Sequence, residues 1–463
     1  MQHKTLQRTV LAAALSAALA PVMAQQAAPE PQSVVVLGSR APAKTALDTA
    51  VPVGLLNAKD MQSTGMLELG KVLQDLDPSF NFSTTFVSDG TDIIRPATLR
   101  GLGPDQLLVL VNGKRRHQQA LVNVQQTIGR GSAGTDINAI PMSAIDRIEV
   151  LRDGAAAQYG SDAIAGVINI VLKQGADKGA LSATAGTTAE GDGDLLSASL
   201  HKGVAIGDGY LNFSLEGRRR GESNRAGVDS LRVSPARVTQ RIGDSLAKDG
   251  YLWLNGAMPL AGGELYAFGG ASKRTGDAAG FFRSTGDSRN IPSVYPNGFL
   301  PNIMTTVEDA SLAVGYRFDL PGGWDLDASI TNVRNELAFH ERNSINVSYW
   351  FEPKAGGIYG ESPREADTGK LRLRQTTVNL DAKTKTQLLG IETFVGVGAE
   401  YRRETYQIVA GDPVSYQYGR TNNPAIKILD QNGGIAASGI QGFPGYTPST
   451  EVNDSRHNVA LYL

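Results

Sequence analysis

The feature that most constrains the fold is the alternation of short and long connections between strands after about residue 178. Segments with an apolar residue at every second position recur, as in Leu211–Glu216 and Leu312–Leu320, and this period is that of a strand with one apolar face. Strands of this kind, joined alternately by short turns and long polar loops, are typical of bacterial outer-membrane barrels. The short turns fall at 207–209, 261–263, 321–323 and near 387–390, and the long loops at about 222–250, 276–308, 341–371 and 409–453.

A soluble β-sandwich is the alternative, because its strands alternate as well. The strands around Trp253 and Phe268 alternate poorly, but a sandwich gives no reason for connections sorted by length. Nine strands can be counted, with a tenth starting at His457–Leu463. Plugged barrels have about 22 strands, so residues 178–463 are predicted to be the N-terminal portion of a truncated barrel with only about 9 to 10 strands present.

The N-terminus has the pattern of an export signal. Lys4 and Arg8 precede the apolar run Thr9–Ala20, and Val22–Ala24 offers small residues for cleavage. A run of about 12 apolar residues is shorter than the roughly 20 that a transmembrane helix needs. We therefore predict that residues 1–24 are a signal peptide and that residues 25–45 form a periplasmic linker.

Composition excludes several classes of site. The chain has no cysteine, its five histidines are scattered, and its net charge is −2. Disulfides, thiolate metal sites and cysteine nucleophiles are excluded, no histidine pair has metal-ligand spacing, and no basic footprint for nucleic acid exists. Since no nucleophile or carboxylate constellation rises above chance spacing, neither an enzyme nor a metal or cofactor is expected.

Residues 46–175 predict a small mixed α/β domain. A helix capped by Thr64 would place Leu69, Val72, Leu73 and Leu76 on one face and end at Asp77-Pro78. Three strands are predicted, with an Asn112-Gly113 turn after the first: Leu107–Val111, Ile145–Arg152 and Gly166–Lys173.

Two stretches of this domain carry a resemblance to a known family. The run Pro141–Gly154 followed by Gln158–Ile170, and Arg100–Gly103 followed by Leu108–Gly113, resemble the plug of TonB-dependent receptors. Asp153-Gly154 stands where the family often has Gly-Pro, and Ala165-Gly166 where it often has Gly-Gly. The resemblance implies a membrane β-barrel with an N-terminal plug, and the signature residues are Arg100, Gly101, Arg147, Glu149, Arg152, Gly154, Tyr159, Gly160 and Gly166.

These signature residues are expected to be scaffold rather than ligand site. The glycines permit turns and close backbone approach. The charged members are expected to form ion pairs that hold the plug against a polar barrel wall.

By the same resemblance, the segment just before the plug is the TonB box, which binds TonB of the inner-membrane energising complex. An extended segment rich in valine can add a strand to the edge of a partner's sheet. The alternative is an ordinary first strand of the plug. The segment comprises Ser33, Val34, Val35, Val36, Leu37 and Gly38.

The family holds its ligand between the upper loops of the plug and the external loops. Asn81–Arg95 and Lys114–Arg130 are the candidate plug loops, and a solvated charged loop is the alternative for the second. Tyr349, Trp350 and Phe351 are expected to contact ligand or to belong to an aromatic girdle of the barrel. The cationic residues suited to an anionic chelate are Arg95, Lys114, Arg115, Arg116 and His117.

The resemblance implies a location in the outer membrane of a Gram-negative cell, in contact with its lipid and with a periplasmic N-terminus. The implied function is TonB-dependent import of a scarce solute, with a ferric siderophore as the expected class. A passive channel, or import of cobalamin, haem or an oligosaccharide, is the alternative. An adhesin and a signal-transducing receptor are less favoured.

Overall fold

The computed structural model describes residues 53–124, 127–152 and 159–463. The predicted signal peptide and TonB box lie outside these residues, as does Gly154 of the plug signature. The predicted limits of the signal peptide (1–24), of the linker (25–45) and of the start of the plug at residue 46 therefore stay predictions.

The first part of the described chain folds around a five-stranded mixed sheet with the strand order β1-β6-β7-β4-β5. Only β4 and β7 are parallel neighbours, and two short strands, β2 and β3, pair beside this sheet. Short 3-10 turns occupy 104–106, 137–139, 142–144 and 161–163. In chain order, the helices and strands are β1 Val53–Asn57, α1 Ala58–Ser63, α2 Leu69–Leu76, β2 Phe80–Phe82, β3 Ala97–Leu99, β4 Leu107–Val111, β5 Lys114–Arg115, β6 Ile145–Leu151 and β7 Gly166–Leu172.

The predicted strands of this domain are confirmed, and one helix boundary is wrong. Asn112 and Gly113 both have positive φ, of 48° and 80°, as a tight turn requires. Thr64 does not begin the predicted helix but follows the last residue of α1, whose start is capped by Asn57. Helix α2 starts only at Leu69. Gly65 has a φ of 67°, a left-handed backbone conformation that cannot continue an α-helix, and the chain turns there between the two helices.

The second part is a ten-stranded antiparallel sheet in which each strand pairs with its neighbours in the chain. The strands β15 and β16 form a separate small hairpin within one loop. In chain order, the elements are β8 Gly179–Gly186, β9 Leu195–Ile206, β10 Gly209–Arg220, β11 Leu246–Leu260, β12 Gly263–Ala279, β13 Asn302–Leu320, β14 Trp324–Arg342, α3 Val347–Phe351, β15 Pro353–Lys354, β16 Gly357–Ile358, β17 Ala366–Leu388, β18 Ile391–Val409, α4 Pro413–Tyr416 and β19 Val452–Tyr462, with a 3-10 turn at 448–450.

The predicted sorting of connections is confirmed, but the long loops are shorter than predicted. Short turns join β9 to β10, β11 to β12, β13 to β14 and β17 to β18, and the long loops all lie at the other end of the sheet. Strands continue through polar sequence at that end; β17, for example, has 23 residues. The last strand likewise begins at Val452, before the predicted His457. Polar residues can extend a strand because the ladder satisfies their backbone groups beyond any apolar band.

The two faces of the ten-stranded sheet have different surroundings. One face packs on the first domain, and the other carries exposed apolar side chains on neighbouring strands: Leu200, Leu215, Leu252, Leu254, Leu312, Ile330, Val378 and Leu380. This is the pattern of a membrane barrel, with apolar residues outward. In the part of the chain that the structure describes, no helix is long and apolar enough to cross a membrane.

The inner face explains the strands that alternate poorly in the sequence. Trp253, Tyr251 and Phe268 are buried in one cluster with the core of the first domain. Those strands are apolar on both faces: Leu252 and Leu254 are exposed on the outer face, and Tyr251 and Trp253 pack against a protein domain on the inner face.

Candidate functional site

Three cationic residues and a histidine, consecutive in the chain from Lys114 to His117, lie against the inner face of the large sheet. After the tight turn at Asn112-Gly113, β5 and the two residues that follow it, Arg116 and His117, run along the large sheet. The Nζ atom of Lys114 lies 3.2 Å from a carboxylate oxygen of Asp327 and 3.1 Å from one of Asp381. Burial favours the neutral amine, but Tyr266 and the two carboxylates outweigh it and raise the pKa of Lys114. The lysine is therefore held to the wall as a cation.

The next two cations contact other strands. Arg115 pairs with Asp162 of its own domain at 2.5 Å and lies 3.6 Å from Glu400 on β18. Arg116 donates to Asp309 on β13 at 2.5 Å, with both side chains almost fully buried.

Asp309 is the centre of a larger polar group. Nε2 of His117 lies 3.1 Å from this carboxylate, and the amide of Asn335 donates to it at 2.9 Å. One buried carboxylate thus connects β13 and β14 to two neighbouring residues of the first domain.

A second ionic cluster lies at the loop end of the sheet. Glu68 accepts a hydrogen bond from Arg220 on β10, and Arg95 lies 3.6 Å from Glu68 and 2.5 Å from Asp244. Lys71 donates to Asp244 at 2.9 Å. The first domain is therefore tied both to a strand and to the long loop that precedes β11.

The charges in this second cluster are compensated. Burial opposes ionisation of Glu68, but Arg220 and Arg95 outweigh it and hold the pKa of the carboxyl well below its usual range. Burial also opposes ionisation of Asp244, and Arg95 with Arg220 nevertheless lowers its pKa to about 2. Both carboxylates are therefore ionised at neutral pH.

A third contact places Asp136 against Arg274 of β12, to which it is hydrogen-bonded. Burial raises the pKa of Asp136 in spite of this arginine. Apolar contacts surround the ionic ones: Ile93 packs beside β12 and Leu121 joins the same cluster as Phe339. The domain is fixed to the wall by buried charge pairs set among apolar side chains.

The predicted signature residues take scaffold positions. Arg147 pairs with Glu149 at 2.9 Å and with Asp146, and Arg152 pairs with Asp77 at 2.7 Å. Arg100 donates to the carbonyl of Arg152 at 2.6 Å. These contacts lie within the first domain, whereas the prediction expected contacts with the wall.

The other signature residues that the structure describes also fall on the small sheet or next to it. Gly166 starts β7, where a Cβ would lie 2.5 Å from the carbonyl oxygen of Leu151. Gly101 and Gly160 have positive φ, and Tyr159 packs on the cluster beneath β4.

The predicted ligand cations are the residues that reach the wall. Arg95, Lys114, Arg115, Arg116 and His117 all have a carboxylate within 4 Å. The cavity beside the last four has a volume of about 20 Å³, which is room for about one water molecule. Their contact with a ligand stays a prediction, and in this arrangement the charges of the lysine and the three arginines are already met by protein carboxylates.

The long loops form a small core of their own. Ile291, Ile345, Val347 and Ile428, from three different loops, are buried together. Tyr349 is buried here, and Trp350 and Phe351 pack on the same cluster. Of the two alternatives for these residues, the girdle is wrong, because they lie in a loop core beyond the end of β14, and contact with a ligand stays a prediction.

Sequence reasoning missed the acidic side of the interface. Glu68, Asp244, Asp309 and Asp381 were not singled out, since each is one carboxylate among many. Asp309 lies on the face of β13 opposite its alternating apolar residues, where charged side chains are common, so its position in the sequence gives no signal.

Comparisons with known proteins agree with this architecture. The TonB-dependent Receptor Plug Domain matches residues 45–167. The ferric enterobactin receptor of Pseudomonas aeruginosa is 27% identical over 396 residues, which is 80% of this chain and 49% of that protein. The vitamin B12 transporter BtuB of Vibrio cholerae is 33% identical over 214 residues, which is 45% of this chain and 32% of that protein.

Solved structures share the fold. The ferric enterobactin receptor PfeA aligns with a TM-score of 0.60 at 19% identity, over 88% of this chain and 54% of that one. The siderophore receptor PirA from Acinetobacter baumannii aligns with a TM-score of 0.54 at 18% identity, over 77% and 48%. The chain spans about half or less of the length of these relatives. It belongs to the TonB-dependent receptors of the Gram-negative outer membrane, with the family's plug domain followed by ten strands of its antiparallel barrel sheet.

Proposed function

We propose that this receptor imports a scarce, bulky solute across the outer membrane with energy delivered by TonB, and that the solute is a ferric siderophore. The observation that carries the proposal is the fixation of the plug to the inner wall by buried ion pairs, such as Arg116 with Asp309. Separating a buried pair is costly, on the order of 3–5 kcal/mol when one partner is left uncompensated. A solute that passes the plug therefore needs an energised displacement.

The proposed sequence of events uses the two ends of the plug. Solute binds from outside, between the plug loops and the long external loops, and occupancy releases the segment Ser33–Gly38 to the periplasm. This segment adds a strand to the edge of a sheet in TonB, which pulls on the plug with the energy of the inner-membrane proton gradient. No covalent bond is made or broken, so the function is transport and not catalysis.

The solute class is supported by the extent of similarity. The alignment with the ferric enterobactin receptor covers 80% of this chain, whereas the alignment with the vitamin B12 transporter covers 45%. Cobalamin is the second candidate because the identity over that shorter range is higher, at 33%. Haem and oligosaccharides are further alternatives, and a passive channel is opposed by the fixed plug.

The test is uptake by cells that lack the complete gene and carry it back in three forms: wild type, Val35→Pro and Val35→Ala. Proline removes the backbone donor of a docking strand, whereas alanine keeps it. We expect one ferric siderophore of a panel to enter with wild type and Val35→Ala, and not with Val35→Pro at equal outer-membrane levels. Uptake of labelled cobalamin instead would change the solute class, and equal uptake with all three forms would favour a passive channel.

A further inference from the structure

The last long loop, between β18 and β19, sends one short segment back toward the plug. We define this strap as Gln441–Tyr446. Its aromatic residues, Phe443 and Tyr446, pack on the apolar cluster that contains Ile93 of the plug. The ring centroid of Phe443 lies 4.4 Å from that of Phe339 on β14. The strap therefore joins an external loop to the contact between the plug and the wall.

One acidic side chain of β14 holds the strap. Glu341 is fully buried, and its Oε1 atom accepts a hydrogen bond from the N–H of Phe443 at 3.1 Å. A Cβ at Gly442 would overlap Oε2 of the same carboxyl group, so the backbone of the strap lies directly on the acid. Beside this contact, the hydroxyl of Ser344 accepts a hydrogen bond from the N–H of Gln441 at 2.7 Å. The strap is thus fastened at the loop end of β14.

The surroundings of Glu341 favour its neutral form. Its Oε2 atom has no hydrogen-bond partner among the described residues. The charged groups that face it are Asp89 of the plug and Arg283 of the loop between β12 and β13. Burial, together with Asp89, raises the pKa of Glu341 well above its usual range, against the effects of the Phe443 N–H and Arg283. Burial and Asp89 also raise the pKa of Tyr446 to about 12, so this phenol stays neutral.

A strap that lies on a neutral carboxyl group responds to pH. When the strap leaves, water reaches Glu341 and its pKa returns toward the ordinary value of 4.5. The closed state therefore binds the proton more tightly than the open state. Its stability is complete below this ordinary value and is lost as pH rises toward the raised pKa. Within that range, the ratio of closed to open strap falls by up to about tenfold per pH unit.

We propose that Glu341 is a proton-dependent latch, which in its protonated form holds the strap on the plug and on losing the proton releases it. An ionised Glu341 under the strap would be a buried charge without an ion-pair partner, which is costly. Acid therefore closes the strap, and a neutral or alkaline medium opens it. The consequence for import rests on the proposed function, since a strap on the plug obstructs a bulky solute. The latch itself requires neither solute nor TonB.

The test measures whether the strap covers the wall behind it. Thr368 on β17 is fully buried, and its carbonyl accepts a hydrogen bond from the N–H of Tyr446 at 3.0 Å. In the purified complete receptor, with any other cysteine replaced by serine, Thr368→Cys should react with a maleimide when the strap is open. A second protein carries Ser449→Cys at an exposed position and corrects for the rise of thiol reactivity with pH. The ratio of the two labelling rates reports the open fraction of the strap.

The labelling ratio should rise by at least about tenfold between about pH 5 and about pH 8. Glu341→Gln should keep it low and constant over this range, because the amide still accepts the hydrogen bond from Phe443 and carries no charge. Glu365→Gln is the matched control. It removes an exposed carboxylate from the neighbouring loop and should leave the rise unchanged.

Gly442→Ala tests the strap without changing the acid. Its Cβ would push the strap away from Glu341, so the labelling ratio should be high at both ends of the pH range, also if Glu341→Gln does not assemble. A ratio independent of pH in the parent protein would overturn the proposal. So would a rise that persists in Glu341→Gln and disappears in Asp89→Asn, because the proton would then belong to Asp89. No solute is present, so the result is independent of whether the receptor imports a siderophore.

Discussion

Arg116 of the plug and Asp309 of β13 form an ion pair at 2.5 Å with less than 4% of either side chain exposed. The two residues are 193 positions apart in the chain, so their contact exists only when the plug sits against the sheet. The Nε1 atom of Trp253 also donates to the carbonyl of Ala139 of the plug at 3.3 Å. An indole at the same interface can therefore report whether the plug is in place.

Asp309→Asn is expected to weaken the attachment of the plug by about 3–5 kcal/mol, because it leaves Arg116 buried without its counter-charge. The measurement uses the fluorescence of Trp253 in a complete receptor in which every other tryptophan, Trp324 and Trp350 included, is replaced by phenylalanine, and follows it during urea titration. The transition in which the plug leaves the sheet should move to lower urea.

Glu264→Gln is the matched control for that variant. It also removes one carboxylate from an ion pair, with Arg317, but both side chains are nearly half exposed. Such a pair contributes less than about 1 kcal/mol, so the same transition should barely move. Similar midpoints for Asp309→Asn and Glu264→Gln would show that the buried pair does not hold the plug.

Acid should loosen the loop end of the plug. Glu68 and Asp244 have pKa values lowered by Arg95 and Arg220 against the effect of burial, that of Asp244 from 3.8 to about 2. A lowered pKa contributes stability above the unfolded value, and this stability is lost as pH falls through the folded value. The urea midpoint should therefore fall between about pH 4.5 and pH 2.

Two nearby buried acids should have the opposite effect on the pH dependence of the urea midpoint. Burial raises the pKa of Asp92 and of Asp136, so their protonation relieves a cost and acts in the opposite direction. Asp244→Asn should flatten the acid dependence, because the variant has no proton to gain there. A midpoint that rises on acidification in the wild-type protein would contradict the assignment.

The strands and turns could be predicted from the sequence because their signals are local. The Asn112-Gly113 turn, the strand Leu107–Val111 and the glycine turns at one end of the barrel sheet need only neighbouring residues to specify them. The lengths of the outer loops could not be predicted in this way, because a polar strand above the membrane has the composition of a loop.

The partners of the plug cations could not be predicted from the sequence. Lys114 meets Asp381 across 267 positions, and the contact depends on the register of every strand between them. In the sequence alone, the run from Lys114 to His117 is indistinguishable from a solvated loop or a ligand site, since all three are polar segments after a turn.

Gly166→Ala should destabilise the plug by about 3 kcal/mol or more, because two costs coincide. Its φ of +143° disfavours a side chain, and an added Cβ would lie 2.5 Å from the carbonyl oxygen of Leu151. Gly160→Ala separates the two costs. Gly160 also has a positive φ, of +90°, but an added Cβ would have no atom within 4 Å, so we expect a loss of stability of only about 1–2 kcal/mol. Urea titration with Trp253 fluorescence measures both, and equal effects would rule out the contribution of the close contact.

A disulfide between the plug and β12 should block transport without blocking solute binding. A Cβ at Gly276 would lie 2.2 Å from Cγ1 of Ile93, so the two Cβ atoms are within about 4 Å, as a disulfide requires. These 463 residues contain no cysteine, and any cysteine in the rest of the complete receptor is replaced by serine, so that Ile93→Cys/Gly276→Cys can form only this bond.

Oxidised cells carrying the double variant should bind the labelled solute at their surface and fail to accumulate it, and a reductant should restore accumulation. Ile93→Cys alone is the control and should be insensitive to oxidant. The disulfide ties the plug to the wall on the side of the long loops. It therefore blocks any passage that opens when this part of the plug moves away from the wall. Normal accumulation with the disulfide verified by mass spectrometry would mean that this part of the plug stays on β12 while the solute passes elsewhere.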